Sequence, residues 1–200
     1  MSNIQNSAYY SMILMHLERR IQIHNEQKDL LIGMLKLRTI LPRQYLLQQG
    51  DVCRYESFVC KGLLRSFFID QKGQEHTLHF AMEDWWISDL RSFVNQEPAT
   101  RNIIAVEPTV VLQIDLQHRD DLIRQVPAFE RFWRILNEQA VISADSRILN
   151  DISLSGYERY KALIAKYPGI EQRLPQKHIA SFLGITPVFL SQIRKEMVKR

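Results

Sequence analysis

Apolar residues recur every three or four positions over residues 6–24 and again over 25–35, with Ile13, Leu14, Leu17 and Ile21 on one face of the first stretch and Leu30, Leu31 and Met34 on one face of the second. This period presents a single apolar stripe on an α-helix, so two N-terminal helices are predicted. At Lys36 the texture changes to short runs of β-branched, aromatic and leucine residues, broken by turn-formers at Pro42, Gly50 and Asp51, Lys61 and Gly62, and 70–73. That rhythm predicts successive antiparallel strands at 37–41, 45–48, 55–60, 63–69, 76–81, 102–106 and 110–114. The segment 83–101 mixes Trp85, Trp86 and Phe93 with polar residues, and a short helix with a ligand loop is expected there.

After Asp115 the helical period returns, over 116–126 and then from Pro127 to about residue 150. Proline suits a first helical turn, where its missing N–H costs nothing. At 1.5 Å per residue the second helix is a rod of roughly 33 Å. Its stripe of Phe129, Trp133, Leu136, Ala140, Ala144 and Ile148 needs a cover, either a neighbouring element of the same core or a second copy of the chain. Small residues at Ala140, Ser143 and Ala144 allow two backbones to approach. Further on, Ser155 and Glu158 have the spacing of a capping box and mark the start of a last domain.

Charge sharpens the picture only when the chain is divided. The net charge is +4 over 200 residues, yet from Ser155 to Arg200 nine Lys/Arg face three Asp/Glu, a balance of +6, which leaves −2 for the rest. Such asymmetry suits a polyanion partner for the last quarter. Within it, QKHIASFLGITPVFLSQIRK (176–195) places apolar Ile179, Leu183, Ile185, Leu190 and Ile193 around small Ala180 and a glycine at 184. Two short helices crossing steeply need a small residue at the contact and a residue free to turn left-handed between them, which predicts a helix-turn-helix. Thr186 caps the second helix and Pro187 opens it. On that helix Val188, Ser191, Gln192 and Lys195 face away from the apolar side. Gln192 suits an adenine edge and Val188 a thymine methyl, while Lys177, Arg194, Lys195 and Lys199 suit phosphates. The pattern alone also fits an unrelated helical hairpin.

Other chemistry is sparse. Cys53 and Cys60 are too few for a disulfide framework or a four-thiolate cluster and read as small buried residues. His76 and His79 are three apart on a predicted strand, so they face opposite sides and no metal site is expected. No nucleophile is paired with a base and no glycine-rich phosphate loop is present, so no enzyme activity is expected. With no apolar run near 20 residues and no secretory start, no membrane partner and a cytoplasmic location are expected.

GDVCRYESFVCKGLLRSFFIDQKGQEHTLHFAMEDWWISD (50–89) and RLPQKHIASFLGITPVFLSQIRK (173–195) resemble the catabolite activator and fumarate/nitrate regulator (Crp/Fnr) type of bacterial transcription factor, a resemblance that extends from about residue 25 onward. It implies an α+β chain with a jelly-roll-like β-roll sensor and N-terminal helices over 1–126, a dimerisation helix and hinge over 127–153, and a helix-turn-helix domain of winged-helix type over 154–200. It also implies a homodimer through Phe129, Trp133, Leu136, Ala140 and Ala144. Double-stranded promoter DNA and RNA polymerase are the implied partners, with a small-molecule effector sensed by the roll. Few residues follow the recognition helix, so a β-wing is expected to be missing or replaced. The alternative is a cyclic-nucleotide-binding or protein-interaction module that does not bind DNA.

One departure bears on the effector. Cyclic-nucleotide-binding members carry a Gly-Glu-Leu step and then an Arg-Ser pair around the phosphate. Here the first step reads Ser88, Asp89, Leu90, and the second falls on Ala99 and Thr100, with Arg101 displaced by one. A buried phosphodiester needs a charge-assisted partner, which Ala99 lacks. The candidate pocket is therefore Ser88, Asp89, Leu90, Thr100, Arg101 and a hydroxyl from Ser143, with a ligand other than a cyclic nucleotide, or none, expected.

Overall fold

The computed structural model describes residues 2–198, with side chains over 6–197; Lys199 lies outside the described residues. Helices α1 (Ser2–Glu18) and α2 (Asn25–Met34) precede strands β1 (Lys36–Ile40), β2 (Tyr45–Leu47), β3 (Tyr55–Lys61), β4 (Leu64–Ile69), β5 (Glu75–Ala81) and β6 (Trp86–Ile87). Helix α3 (Leu90–Asn95), strands β7 (Asn102–Ala105) and β8 (Thr109–Asp115), and helices α4 (Leu116–Gln125) and α5 (Pro127–Ser153) follow. The chain continues through α6 (Gly156–Lys166), α7 (Ile170–Arg173), α8 (Gln176–Leu183) and α9 (Pro187–Val198).

The strands form two four-stranded sheets, in the orders β1-β8-β3-β6 and β2-β7-β4-β5. β1 pairs with β8 antiparallel from Lys36↔Gln113 to Ile40↔Thr109, and β3 pairs with the other edge of β8 from Tyr55↔Asp115, with a bulge between Val59 and Lys61. The central strands β3 and β8 are covered on both faces, so consecutive residues are buried along them, polar Glu56, Ser57 and Gln113 included. Phe58, Cys60, Leu112 and Ile114 join a core with Ile13, Leu17, Leu31, Leu122, Phe129 and Phe132 of the helices. Val59 and Val111, one step along the same strands, join Ile40, Leu64, Ile87, Phe93 and Ile103 in a second core. Each fully buried side chain of this size stabilises the fold by about 1.5–3 kcal/mol relative to exposure.

The chain divides into two compact units, one of residues Met1–Ser66 and Phe80–Glu138, the other of Phe67–His79 and Gln139–Arg200. Both cores just described belong to the first. In the second, Tyr160, Leu163, Tyr167, Ile170, Leu174, Ile179, Ala180, Leu183, Leu190 and Ile193 are buried. All seven expected strands are present, with ends shifted by at most one residue. The first helix stops at Glu18 rather than continuing to residue 24, because Ile21 and Ile23 are both buried, a spacing of two that an extended chain can satisfy and a helix cannot. The two-residue β6 and four-residue α7 carry too few positions to show a period. Among the described residues no helix is long and apolar enough to cross a membrane.

Candidate functional site

The C-terminal helices are built as the sequence pattern requires. Ser155 Oγ accepts from Glu158 N–H at 3.3 Å and Glu158 Oε2 accepts from Ser155 N–H at 2.8 Å, closing the capping box of α6. Ala180 is fully buried where α8 meets its neighbours, and Gly184 ends α8 at φ 65°, a left-handed conformation that glycine reaches without a Cβ penalty. Thr186 Oγ1 then caps α9 by accepting from Phe189 N–H at 3.1 Å. With Leu190 and Ile193 buried beneath, the other side of α9 faces out: Thr186, Val188, Gln192 and Lys195 are exposed and Ser191 is half-buried. Lys177, at the start of α8, is exposed as well.

Arg194 is placed differently from the expectation of a free phosphate contact. Its Nε lies 3.1 Å from Glu171 Oε1, and Glu171 also accepts from the buried Tyr160 hydroxyl. The guanidinium thus ties α9 to α7 and α6. Phe189, which the sequence reading passed over, is 44% exposed, and an added Cβ at Gly156 would meet its ring at 2.9 Å. No periodicity signals that contact, since it depends on how α6 and α9 cross.

The second unit also contains the tip of the β4–β5 hairpin, residues 67–79. Ser181 Oγ on α8 donates to Glu75 O at 3.0 Å and accepts from Thr77 N–H at 2.9 Å, bridging an acceptor and a donor on one strand edge. Arg147 of α5 donates to Thr77 O and Phe182 O, each at 3.2 Å, with its guanidinium 4.3 Å from the Phe182 ring centre. His76 Nε2 pairs with Asp70 at 2.8 Å and stacks on Phe68.

Along α5 the expected stripe divides. Phe129 and Trp133 are buried, and Leu136 packs on the same core, so these three have their cover within the chain rather than in a partner. The uncovered apolar positions lie further along: Val141, Ile142, Ile148, Leu149 and Ile152 are 55–80% exposed, beside exposed Ala140 and Ala144. Ser143 belongs to the second unit, where its hydroxyl accepts from Lys166 Nζ at 3.4 Å.

In the first unit, Asp89 organises the segment expected to hold a ligand. Only 1% exposed, its carboxylate caps α3 by accepting from Ser92 N–H at 3.3 Å and accepts from Thr100 N–H at 3.0 Å and Thr100 Oγ1 at 3.3 Å. Arg101 Nε stands 3.5 Å from the same carboxylate, an ion pair without hydrogen-bond alignment. Asp89, Thr100 and Arg101 are therefore brought together, with half-buried Ser88 beside them in sequence, while Leu90 is 42% exposed. Arg101 reaches inward because it sits in the bend before β7 rather than on the strand. Ala99 is buried and presents only a methyl group. These residues fit a cyclic phosphodiester poorly, since Arg101 is held by a buried carboxylate that already has three donors.

Next to this segment lies a buried charge that sequence reasoning missed. Glu56 is 5% exposed and accepts from Trp133 Nε1 at 3.0 Å and from Arg119 at 3.5 Å, while the Arg119 guanidinium sits 4.9 Å over the Phe93 ring of α3. Burial pushes the Glu56 carboxyl above its ordinary range against the pull of Arg119. A contiguous path of contacts thus joins α3 to the first turns of α5.

Residues 37–126 match the model of the cyclic nucleotide-binding domain family. No curated protein matches the chain by sequence. Among solved structures, FixK2 from Bradyrhizobium japonicum is similar with a TM-score of 0.71 at 12% identity, over 82% of this chain and 85% of that one. The catabolite activator protein of Thermus thermophilus is similar with a TM-score of 0.56 at 20% identity, over 88% and 84%. A transcriptional regulator of the Crp/Fnr family from Eubacterium rectale gives 0.67 at 16%, over 88% and 85%. Residues 37–126 are thus similar to the cyclic nucleotide-binding domain family, within a chain that shares the fold of solved Crp/Fnr regulators.

Proposed function

We propose that the chain is a homodimeric transcription regulator of the Crp/Fnr type, with a β-roll sensor over 1–126, a dimerisation helix and hinge over 127–153, and a DNA-binding domain over 154–200. The observation that carries this reading is the outer face of α9. A threonine-capped helix presents Val188, Gln192 and Lys195 to solvent over a buried helix-helix contact, in the part of the chain that holds the net charge of +6. An apolar side chain at the start of a helix and an exposed amide one turn further along suit base edges in the major groove, and Lys177 and Lys195 suit the phosphates beside them. The chain acts by binding rather than catalysis, as the similar solved proteins named as regulators support. RNA polymerase is the further partner of this reading, and the roll receives a small-molecule effector.

Selection of bound duplexes from random-sequence DNA tests it. The recovered sites should be inverted repeats with half-site centres about one helical turn, ~34 Å, apart, because a two-fold dimer places two recognition helices in successive major grooves. Failure to enrich any sequence, with binding indifferent to salt, would instead favour a protein-interaction module.

A further inference from the structure

The roll contains a cleft of about 290 Å³ that the Asp89 segment does not line. It opens between the two sheets, with Ser57 and Gln113 from β3 and β8 on one side and Ile103 from β7 on the other, and Ile87 of β6 is among the residues that line it. Ser57 and Gln113 are 1% and 5% exposed, and Gln113 Nε2 donates to Ser57 Oγ at 3.0 Å. That bond leaves the Ser57 proton as a donor and Gln113 Oε1 as an acceptor, neither committed to any other described residue. Buried polar groups of this kind are kept where something polar can reach them.

Cations line the same cleft. Arg38, half-buried on β1, and Arg54, exposed before β3, both contribute to it, and neither guanidinium has an ion-pair or hydrogen-bond partner among the described residues. Asp51 is the one acid in the lining, so the side chains carry a surplus of one positive charge. At the Asp89 segment the reverse holds: Arg101 is already paired, and the carboxylate has all its donors from the protein.

We infer that this cleft, rather than the Asp89 segment, is the ligand site of the roll, and that it takes a small organic carboxylate. The acid group pairs with Arg38 and Arg54, an apolar body lies against Ile87 and Ile103, and a hydroxyl at the far end bonds Ser57 and Gln113. A carboxylate offers a guanidinium fork two acceptors for parallel bonds, and it leaves one flat apolar body to lie against Ile87 and Ile103. The volume suits a molecule the size of a substituted benzoate, near the lower end of ligand clefts. The inference rests on reading the roll as a sensor, and it is independent of DNA binding.

The test is calorimetric titration of the full chain, without DNA, with 4-hydroxybenzoate, benzoate and inorganic phosphate. Saturable binding of 4-hydroxybenzoate is expected, with benzoate weaker by roughly tenfold for want of the floor hydrogen bonds, and phosphate weaker still. Arg38→Met should weaken 4-hydroxybenzoate by roughly tenfold or more and Arg54→Met by less, while Arg101→Met should leave it unchanged. Both Arg38 and Arg54 reach solvent, so these variants should fold, and circular dichroism checks it. No saturation up to roughly 50 mM, or loss of binding with Arg101→Met but not with Arg38→Met, overturns the inference. Neither result touches the DNA-binding reading, which duplex titration of the same preparation checks separately.

Discussion

Gln192 and Lys195 stand three residues apart on the exposed side of α9 and carry different chemistry, so they should fail differently. Gln192→Ala removes an amide that can pair with adenine N6 and N7 and should cost about 1–3 kcal/mol on the preferred site, relaxing preference at one position of each half-site. Lys195→Ala removes a point charge and should weaken every duplex alike. Fluorescence anisotropy on specific and scrambled duplexes separates the two. In the first unit, His16 is 2% exposed, with its ring edge-on to Phe58 and Phe132 and Nδ1 2.8 Å from Asp84. Burial holds its pKa below the ordinary 6.5, outweighing the Asp84 bond, and Arg20 and Arg19 push the same way. The unfolded chain therefore binds this proton first as pH falls. Its contribution is fully present above about pH 6.5 and is lost as pH falls through the depressed folded value. Urea unfolding at a series of pH values should show this decline, and His16→Gln should flatten it.

Among the elements, α5 divides into a buried and an exposed stretch. Its first turns are core, where Phe129 and Trp133 pack among aromatic rings and Trp133 satisfies Glu56. Its later turns leave Val141, Ala144, Ile148 and Ile152 uncovered at spacings of three and four, a stripe that a second copy of the same helix would bury symmetrically. Ile148→Lys should therefore convert dimer to monomer in sedimentation without loss of helix content, since the residue is 58% exposed. A monomeric wild type at micromolar concentration would remove the interface from this helix. Leu136 is a poorer probe, because it packs on the core and its replacement would also disturb the fold. The α8–α9 pair is held by different means, with Gly184 at its turn and the Arg194–Glu171 pair fastening the far end of α9.

For the whole molecule the uneven charge is the quantity to measure. The chain from Ser155 onward carries +6 and the remainder −2, so attraction to a polyanion is confined to one part. In the proposed dimer, two exposed lysines per subunit, Lys177 and Lys195, would supply four phosphate contacts. Affinity for duplex DNA should then fall with salt with a log–log slope of about −3.6, at ~0.9 per contact, and Lys195→Ala should reduce the slope by about two such contacts. A slope near zero in the wild type would leave the basic C-terminal part as a solvated surface only.

The local signals in the chain determined the elements. Turn residues at Gly50, Gly62 and Gly73, the capping box at Ser155 and Glu158, and the glycine at 184 each act over a few residues, so strands, helices and the helix-turn-helix could be read directly. Periodicity could place an apolar stripe on α5 but could not say what covers it, because burial is a property of distant partners: Phe129 and Phe132 are buried in a core shared with α1 and β3, while Ile148 is left 58% exposed. Site geometry was hidden for the same reason. That Arg101 turns to Asp89, that Arg194 pairs with Glu171, and that Glu56 meets Arg119 and Trp133 all depend on contacts between residues 12 to 77 positions apart, which no local pattern encodes. The sequence by itself determined where the chain bends, coils and extends. Only the tertiary structure decided which charges are paired within the chain and which, like Arg38 and Lys195, have no pair among the described residues.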